Sequence, residues 1–177
     1  MTGVRARANV SYRIEPLATH HARSHFACGQ PALDRYLRER ARQDVARHSA
    51  AVFVAVPFNE PHIIAGYYTL SSLTVDASAL PVAAARKLPR YPQLPATLLG
   101  RLAVTQHHQG CGLGEYLLID ALRRSLDATT SVGSVAVVVD PLDDRARTFY
   151  EKYQFIALAD KPSRLFLPMG TIQRGLT

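Results

Sequence analysis

Apolar and polar residues alternate across Tyr12-Arg13-Ile14-Glu15-Pro16, a period of two that predicts a short strand near the start of the chain. Gly29-Gln30-Pro31 then opens a helix, with proline at a position that needs no amide hydrogen. In that helix Leu33, Tyr36, Leu37, Ala41 and Val45 recur at i, i+3, i+4 spacing and form a packing stripe. Arg35, Arg38 and Arg42 share another face, and Arg40 and Arg47 add to its charge. Residues 51–56 and 63–73 are rich in Val, Ile, Tyr and Thr, and Pro57-Phe58-Asn59-Glu60-Pro61 between them predicts an antiparallel hairpin. A fourth strand is expected over 98–105. It leads through a glycine-rich turn into a helix whose apolar face carries Tyr116, Leu117, Ile119, Ala121 and Leu122. Residues 135–139 read as a strand buried on both faces, and 143–153 as a short helix with Asp in its first turn. Residues 155–158 and 164–167 close the chain as short strands, and the proline-rich stretch 81–95 reads as an ordered loop. Antiparallel strands first and strand-helix-strand-helix-strand later predict a mixed α/β sheet covered by helices.

Length and composition narrow the class. At 177 residues, 47% apolar and 20% charged, the chain fits one soluble domain over 1–177, with a flexible basic tail over 1–10. No apolar run reaches membrane-spanning length and no leader-like apolar core follows the first arginines, so a cytoplasmic protein is expected. Cys28 and Cys111 stand in unrelated contexts, which excludes a disulfide framework and a four-cysteine zinc site. The formal charge is +7, and 18 of the 21 basic residues are Arg, whose fork matches phosphate bidentately. The first fifty residues hold nine Arg against four acids, so the positive field is uneven and RNA is a natural partner for that end.

Gln109-Gly110-Cys111-Gly112-Leu113-Gly114 follows a strand and opens a helix, the arrangement in which free backbone N–H groups and the helix dipole hold a pyrophosphate. No Gly-Lys-Ser/Thr follows, which excludes the nucleoside triphosphate loop. Glu115 stands where the dinucleotide fingerprint needs its third glycine, which argues against a nicotinamide cofactor. A plain helix entry with a pliable turn is the other reading of three spaced glycines.

Here the chain resembles the GCN5-related N-acetyltransferases, whose acetyl-CoA signature of Arg or Gln, two residues, Gly, one residue, Gly or Ala is met by Gln109, Gly112 and Gly114. The resemblance extends to Leu102-Ala103-Val104 on the preceding strand. It also takes in Ala146-Arg147-Thr148-Phe149-Tyr150-Glu151-Lys152-Tyr153-Gln154-Phe155, where Gln154 replaces the usual glycine. More narrowly, Phe26-Ala27-Cys28-Gly29, Leu33-Asp34-Arg35-Tyr36-Leu37, Gly66-Tyr67-Tyr68-Thr69-Leu70-Ser71 and Leu99-Gly100-Arg101-Leu102-Ala103-Val104 are similar to the TacT-like toxin acetyltransferases of type II toxin–antitoxin systems. That likeness implies a mostly antiparallel sheet, flanked by helices, with a parallel V-shaped splay between strands four and five. It implies acetylation of the amino group of aminoacyl-tRNA from acetyl-CoA, a block of translation, a homodimer, and a ribbon-helix-helix antitoxin that itself contacts DNA.

The resemblance makes Tyr150 the general acid for a departing thiolate and Val104 the backbone donor to the thioester carbonyl or the pantetheine, an ordinary core valine being the other reading. The cofactor set is Leu102, Ala103, Val104, Gln109, Gly110, Cys111, Gly112, Leu113, Gly114, Phe149 and Lys152, Lys152 being equally readable as a solvated lysine. An α-amino group has a reference pKa of about 7.7–8.0, so no strong base is required and Glu15, Glu39 and the histidines are not promoted to one. His21 and His25 lack a third ligand, so no metal is expected and both read as surface histidines. Cys111 reads as a small loop residue. Arg35, Arg38, Arg42, Arg123 and Arg124 are the candidates for RNA phosphate, against a merely solvated helix face. Tyr67, Tyr68 and Tyr91 either stack on the RNA end or pack. An acetyltransferase acting on a protein or small amine, or an inactive RNA- or antitoxin-binding module, are the other functions compatible with these residues.

Overall fold

The computed structural model describes residues 10–177, so the basic tail expected over 1–10 lies, apart from Val10, outside the described residues. Strand β1 (Tyr12–Pro16) pairs antiparallel with β2 (Ala51–Pro57), β2 with β3 (Gly66–Asp76), and β3 with β4 (Gln93–Val104). Strand β5 (Ala136–Val139) runs parallel to β4, and β7 (Leu165–Pro168) and β6 (Ile156–Ala157) complete a seven-stranded sheet of order β1-β2-β3-β4-β5-β7-β6.

Side-chain alternation along β3 divides the core into two layers. Tyr67 faces Phe26, which precedes the first helical segment, and Tyr36, Leu37 and Ala41 within that segment, which comprises α1 (Pro31–Arg35), a π-helical turn (Tyr36–Arg40) and α2 (Ala41–Ala46). Tyr68 faces the opposite layer, where α4 (Leu113–Ala128) buries Leu117, Leu118, Ala121 and Leu122. Both phenols are fully buried and each finds an acceptor: Tyr67 donates to the Leu33 carbonyl at 2.7 Å and Tyr68 to Asp120 Oδ2 at 2.6 Å. They are packed, and the stacking role considered for them is thereby removed.

Several boundaries depart from the periodicity. β3 starts at Gly66 rather than 63, since Ile63 makes a lone parallel bridge to Ala22 instead. The expected loop over 81–95 contains α3 (Val82–Ala85) and the beginning of β4. Pro95 is tolerated inside β4 because its backbone faces away from β3, its carbonyl accepting the Val135 N–H at 2.9 Å just before β5 begins, so no β3–β4 ladder bond needs the N–H it lacks. On α4, Tyr116 points to solvent at 47% exposure, and Leu118 takes the buried place expected of it. The chain ends on a helix, α6 (Met169–Leu176), instead of a strand. Its two glycines give it little helical propensity of its own, and burial of Met169 and Ile172 in the α4 layer holds it. Among the described residues, no helix is long and apolar enough to cross a membrane.

Candidate active site

β4 and β5 are in register only at Thr97 with Val137 and Leu98 with Val138. β4 then continues over 99–104 without a strand on that side, while β3 still pairs along its other edge. The parting begins at a β-bulge: Arg101 lies opposite Thr69 and Leu99 opposite Leu70, which leaves Gly100 as the extra residue that bends the strand. The expected V-shaped splay is thus present, and a cleft of about 350 Å³ opens in it.

The ladder settles which backbone groups face this cleft. Thr105 N–H donates to the Ala65 carbonyl at 2.9 Å, so Thr105 and, two residues back, Ala103 direct their amides and carbonyls to β3. Val104 and Leu102 therefore turn theirs the other way, into the cleft. The Val104 carbonyl is taken by Gln109 Nε2 at 2.9 Å, and the Val104 N–H points into the open space. Opposite stands α5 (Asp144–Lys152), started by Asp143, whose side chain accepts the Ala146 N–H at 2.8 Å. It brings Phe149 and Tyr150 to the cleft wall. Tyr150 is 7% exposed, its ring packs edge-on against Phe149 and Phe155, and its hydroxyl makes no hydrogen bond among the described residues. Burial pushes its phenol well above the ordinary tyrosine range, so it stays protonated.

At the mouth, α4 begins at Gly112 with no side-chain cap, leaving first-turn N–H groups without intrahelical acceptors. Gly112 has φ +84°, a left-handed conformation that suits glycine. A β-carbon on Gly114 would lie 4.0 Å from both Phe149 and Val104, so this glycine leaves the cleft floor open. The donor set and the shape fit a thioester cofactor with a pyrophosphate.

The cofactor residues read from the sequence separate into four groups. Leu102, Ala103, Val104, Gln109, Gly114 and Phe149 all line the cleft, beside the catalytic candidate Tyr150. Gly110, Cys111 and Gly112 form the turn before α4. Cys111 is exposed, and its thiol donates to the His108 carbonyl at 2.8 Å. The Leu113 side chain is buried in the α4 core, leaving only its backbone available. Lys152 does not line the cleft; it is exposed, with its ammonium 5.5 Å from the Tyr153 ring. Gln154 adopts φ +72°, so the turn after α5 keeps the backbone a glycine would give it, with a glutamine side chain.

The cleft also contains residues that the sequence reading left without a role: Cys28, Gln30, Arg101 and Arg145. The Phe26-Ala27-Cys28-Gly29 and Leu99-Gly100-Arg101 matches were the available signal, but adjacency across the sheet is not local. Asp34, buried at 8% exposure, accepts the Cys28 N–H at 2.8 Å. Burial, and then Asp34, push the Cys28 thiol up to about 11, so it is no nucleophile at neutral pH. Asp140 at the end of β5 is held below the usual carboxylate range by Arg164, which donates twice at 2.8 Å.

The arginine set is not one surface. Arg38 and Arg42 line a separate groove of about 520 Å³ with Arg23, whereas Arg35 lies outside it. The π-turn explains this: Ala41 N–H bonds back to the Tyr36 carbonyl, and the extra residue breaks the spacing arithmetic across it. Arg123 and Arg124 lie on α4, on the other side of the sheet. Arg124 is already paired with Asp120 at 2.8 Å and lies over Phe53. His21 is buried, not on the surface; its Nδ1 accepts the Ala18 N–H at 2.9 Å, so Nε2 carries the proton given to Glu15 at 2.7 Å. That tautomer withholds His21 from the Glu15, His20 and His21 cluster as a metal ligand.

No family model matches the chain. It is 37% identical over 144 residues, 81% of its length and 84% of the relative's, to a tRNA-acetylating toxin of Mycobacterium tuberculosis. AtaT complexed with acetyl-methionyl-tRNAfMet superposes with a TM-score of 0.86 at 28% identity, covering 94% of this chain and 100% of that one. A tyrosine-to-phenylalanine mutant of AtaT, bound to the C-terminus of the antitoxin AtaR and acetyl-CoA, superposes at 0.79 and 26%, covering 94% and 98%. A splayed β4–β5 cleft, a buried tyrosine on its wall and this degree of identity lead to one assignment: the chain belongs to the TacT-like tRNA-acetylating toxins, within the GCN5-related N-acetyltransferase fold.

Proposed function

We propose that this protein is a toxin that transfers the acetyl group of acetyl-CoA to the amino group of aminoacyl-tRNA, so blocking translation, and that a ribbon-helix-helix antitoxin neutralises it. The observation that carries the reading is that Val104, with its N–H turned inward, and Tyr150 line one cleft, in a chain 37% identical to a tRNA-acetylating toxin. Bound acetyl-CoA supplies an acetyl group activated as a thioester. On the β4 edge the backbone of Leu102 would hold the pantetheine, and the turn Gly110–Gly112 with the first turn of α4 would receive the pyrophosphate. Val104 N–H donates to the carbonyl oxygen as negative charge builds on it. Tyr150 keeps its proton through neutral pH and gives it to the sulfur that leaves. The acceptor amine needs no strong base, because an α-amino group is largely unprotonated above pH 8. Arg23, Arg38 and Arg42 offer the tRNA backbone a basic groove, and the protein acts in the cytoplasm as a homodimer of a single catalytic domain.

The test is transfer from radiolabelled acetyl-CoA to a pool of charged tRNA. Label in the RNA fraction that mild base releases as N-acetylated amino acid is the expected result. Label appearing in protein or in small amines, with none in charged tRNA, would overturn the reading.

A further inference from the structure

We propose that Arg101 is the specificity-determining residue by which this cleft selects an amine carried on a nucleotide, through the phosphate of that nucleotide. The inference rests on the function proposed above and names the part of the acceptor that is recognised. Arg101 lines the same cleft as Val104 and Tyr150. Its guanidinium carbon sits 3.5 Å over the centre of the Tyr36 ring. That ring is itself held: Tyr36 donates its hydroxyl to Asp44 at 2.8 Å and stacks on Tyr67, which is pinned to the Leu33 carbonyl at 2.7 Å. A fixed platform under the flat face of the guanidinium leaves its N–H edge for a ligand.

Among the described residues, no carboxylate pairs with Arg101, although two acids, Asp140 and Asp143, line the same cleft. Asp140 is taken bidentately by Arg164, and Asp143 caps α5 with one oxygen and receives Gln30 at 3.4 Å with the other. A half-buried cationic fork therefore faces the cleft without an anion. The pyrophosphate of the acyl donor belongs at the start of α4, beyond the C-terminal end of β4. Arg101 lies in the opposite direction, three residues before Val104 or about 10 Å along the strand. In an aminoacyl ester of a terminal nucleotide, the amine is separated from the 5′ phosphorus by about eight covalent bonds, roughly 10 Å when extended. Both spacings are of the order of 10 Å, so an amine near Val104 and a phosphate within reach of Arg101 can belong to one nucleotide, and a lysine side chain presents no such group.

Two probes that differ by one phosphate test this: the amino acid found on the labelled tRNA, esterified to adenosine or to adenosine 5′-monophosphate. With wild-type protein the phosphorylated probe should have a kcat/KM roughly 10- to 100-fold higher, the usual worth of a charge-assisted hydrogen bond. In Arg101→Gln that ratio should collapse towards one, mainly through KM, and Arg101→Lys should restore part of it. An unchanged ratio in Arg101→Gln overturns the proposal. So does an equal loss on both probes, which would mark Arg101 as support for Tyr36 only, or a preference that tracks the charge of the amino acid side chain. Wild-type protein that acetylates charged tRNA but ignores the phosphate overturns the role of Arg101 alone. Acetylation of neither probe nor charged tRNA overturns the function beneath it.

Discussion

Gln109 holds Val104: its Nε2 donates to the Val104 carbonyl at 2.9 Å and, from the same nitrogen, to the Cys28 carbonyl at 2.9 Å. The signature glutamine thus spends its amide on bracing the end of β4 against the segment before α1, where Asp34 fixes Cys28 from the other side. The backbone donor of the cleft is positioned by its own residue's carbonyl. Gln109→Leu should therefore lower kcat by about 10- to 100-fold with little change in the melting temperature, since a misplaced oxyanion donor costs rate. Steady-state kinetics beside thermal unfolding would check it, and an unchanged kcat would show that the brace is not needed.

Tyr150→Phe should keep the fold and acetyl-CoA affinity while lowering turnover by roughly 10² to 10⁴, the range for a positioned proton donor. Because burial raises its pKa, Tyr150 is protonated throughout the working range and contributes no falling limb below about pH 10. The wild-type rate should climb with pH through the α-amino value near 8 and then level. A fall between pH 8 and 9 would assign an ionising group that this scheme lacks.

Gly66 sits where β3 passes close under α4. A β-carbon there would come within 2.8 Å of Leu117 Cδ1 and 3.0 Å of the Ala103 carbonyl. The leucine can turn but the β4 backbone has no such freedom, so Gly66→Ala should destabilise by about 1–3 kcal/mol. The corresponding fall in melting temperature is roughly 3–10 °C for a domain of this size. Calorimetry with no shift would mean that β3 and α4 separate easily.

Of the groove arginines, Arg42 gives the cleanest test. Arg23 donates to the Arg38 carbonyl at 2.8 Å and Arg38 to the Phe26 carbonyl at 3.1 Å, so removing either disturbs the helix they hold. Arg42→Ala should leave stability nearly unchanged and make the plot of log tRNA affinity against log salt shallower by about 0.7–0.9, one phosphate contact. If the slope does not move, the backbone of the tRNA runs elsewhere.

Local pattern was enough wherever one element's own residues decide its shape. The alternation in Tyr12–Pro16, the apolar run of β5, the capping Asp143 and the glycine turn before α4 all specify their conformation within a few bonds. The motif likeness singled out Val104 and Tyr150, which lie on β4 and α5 and both line the cleft. What chain-local reasoning lacked was the outcome of packing. Two neighbouring tyrosines, 67 and 68, look alike in sequence, yet the pleat sends them to opposite layers, where each phenol is buried with a different acceptor. A π-turn adds one residue and separates Arg35 from Arg38 and Arg42, while Arg23, from a loop, joins them. Pro95 is a strand residue because the bond it cannot make is not needed at that place, and α6 is a helix because α4 offers its apolar residues a surface. Arg101 became legible only when Tyr36, from a helix on one face of the sheet, came to lie under it. Spacing along the chain sets conformation, whereas a guanidinium's partners are set by which elements stack, and that is decided by burial over the whole molecule.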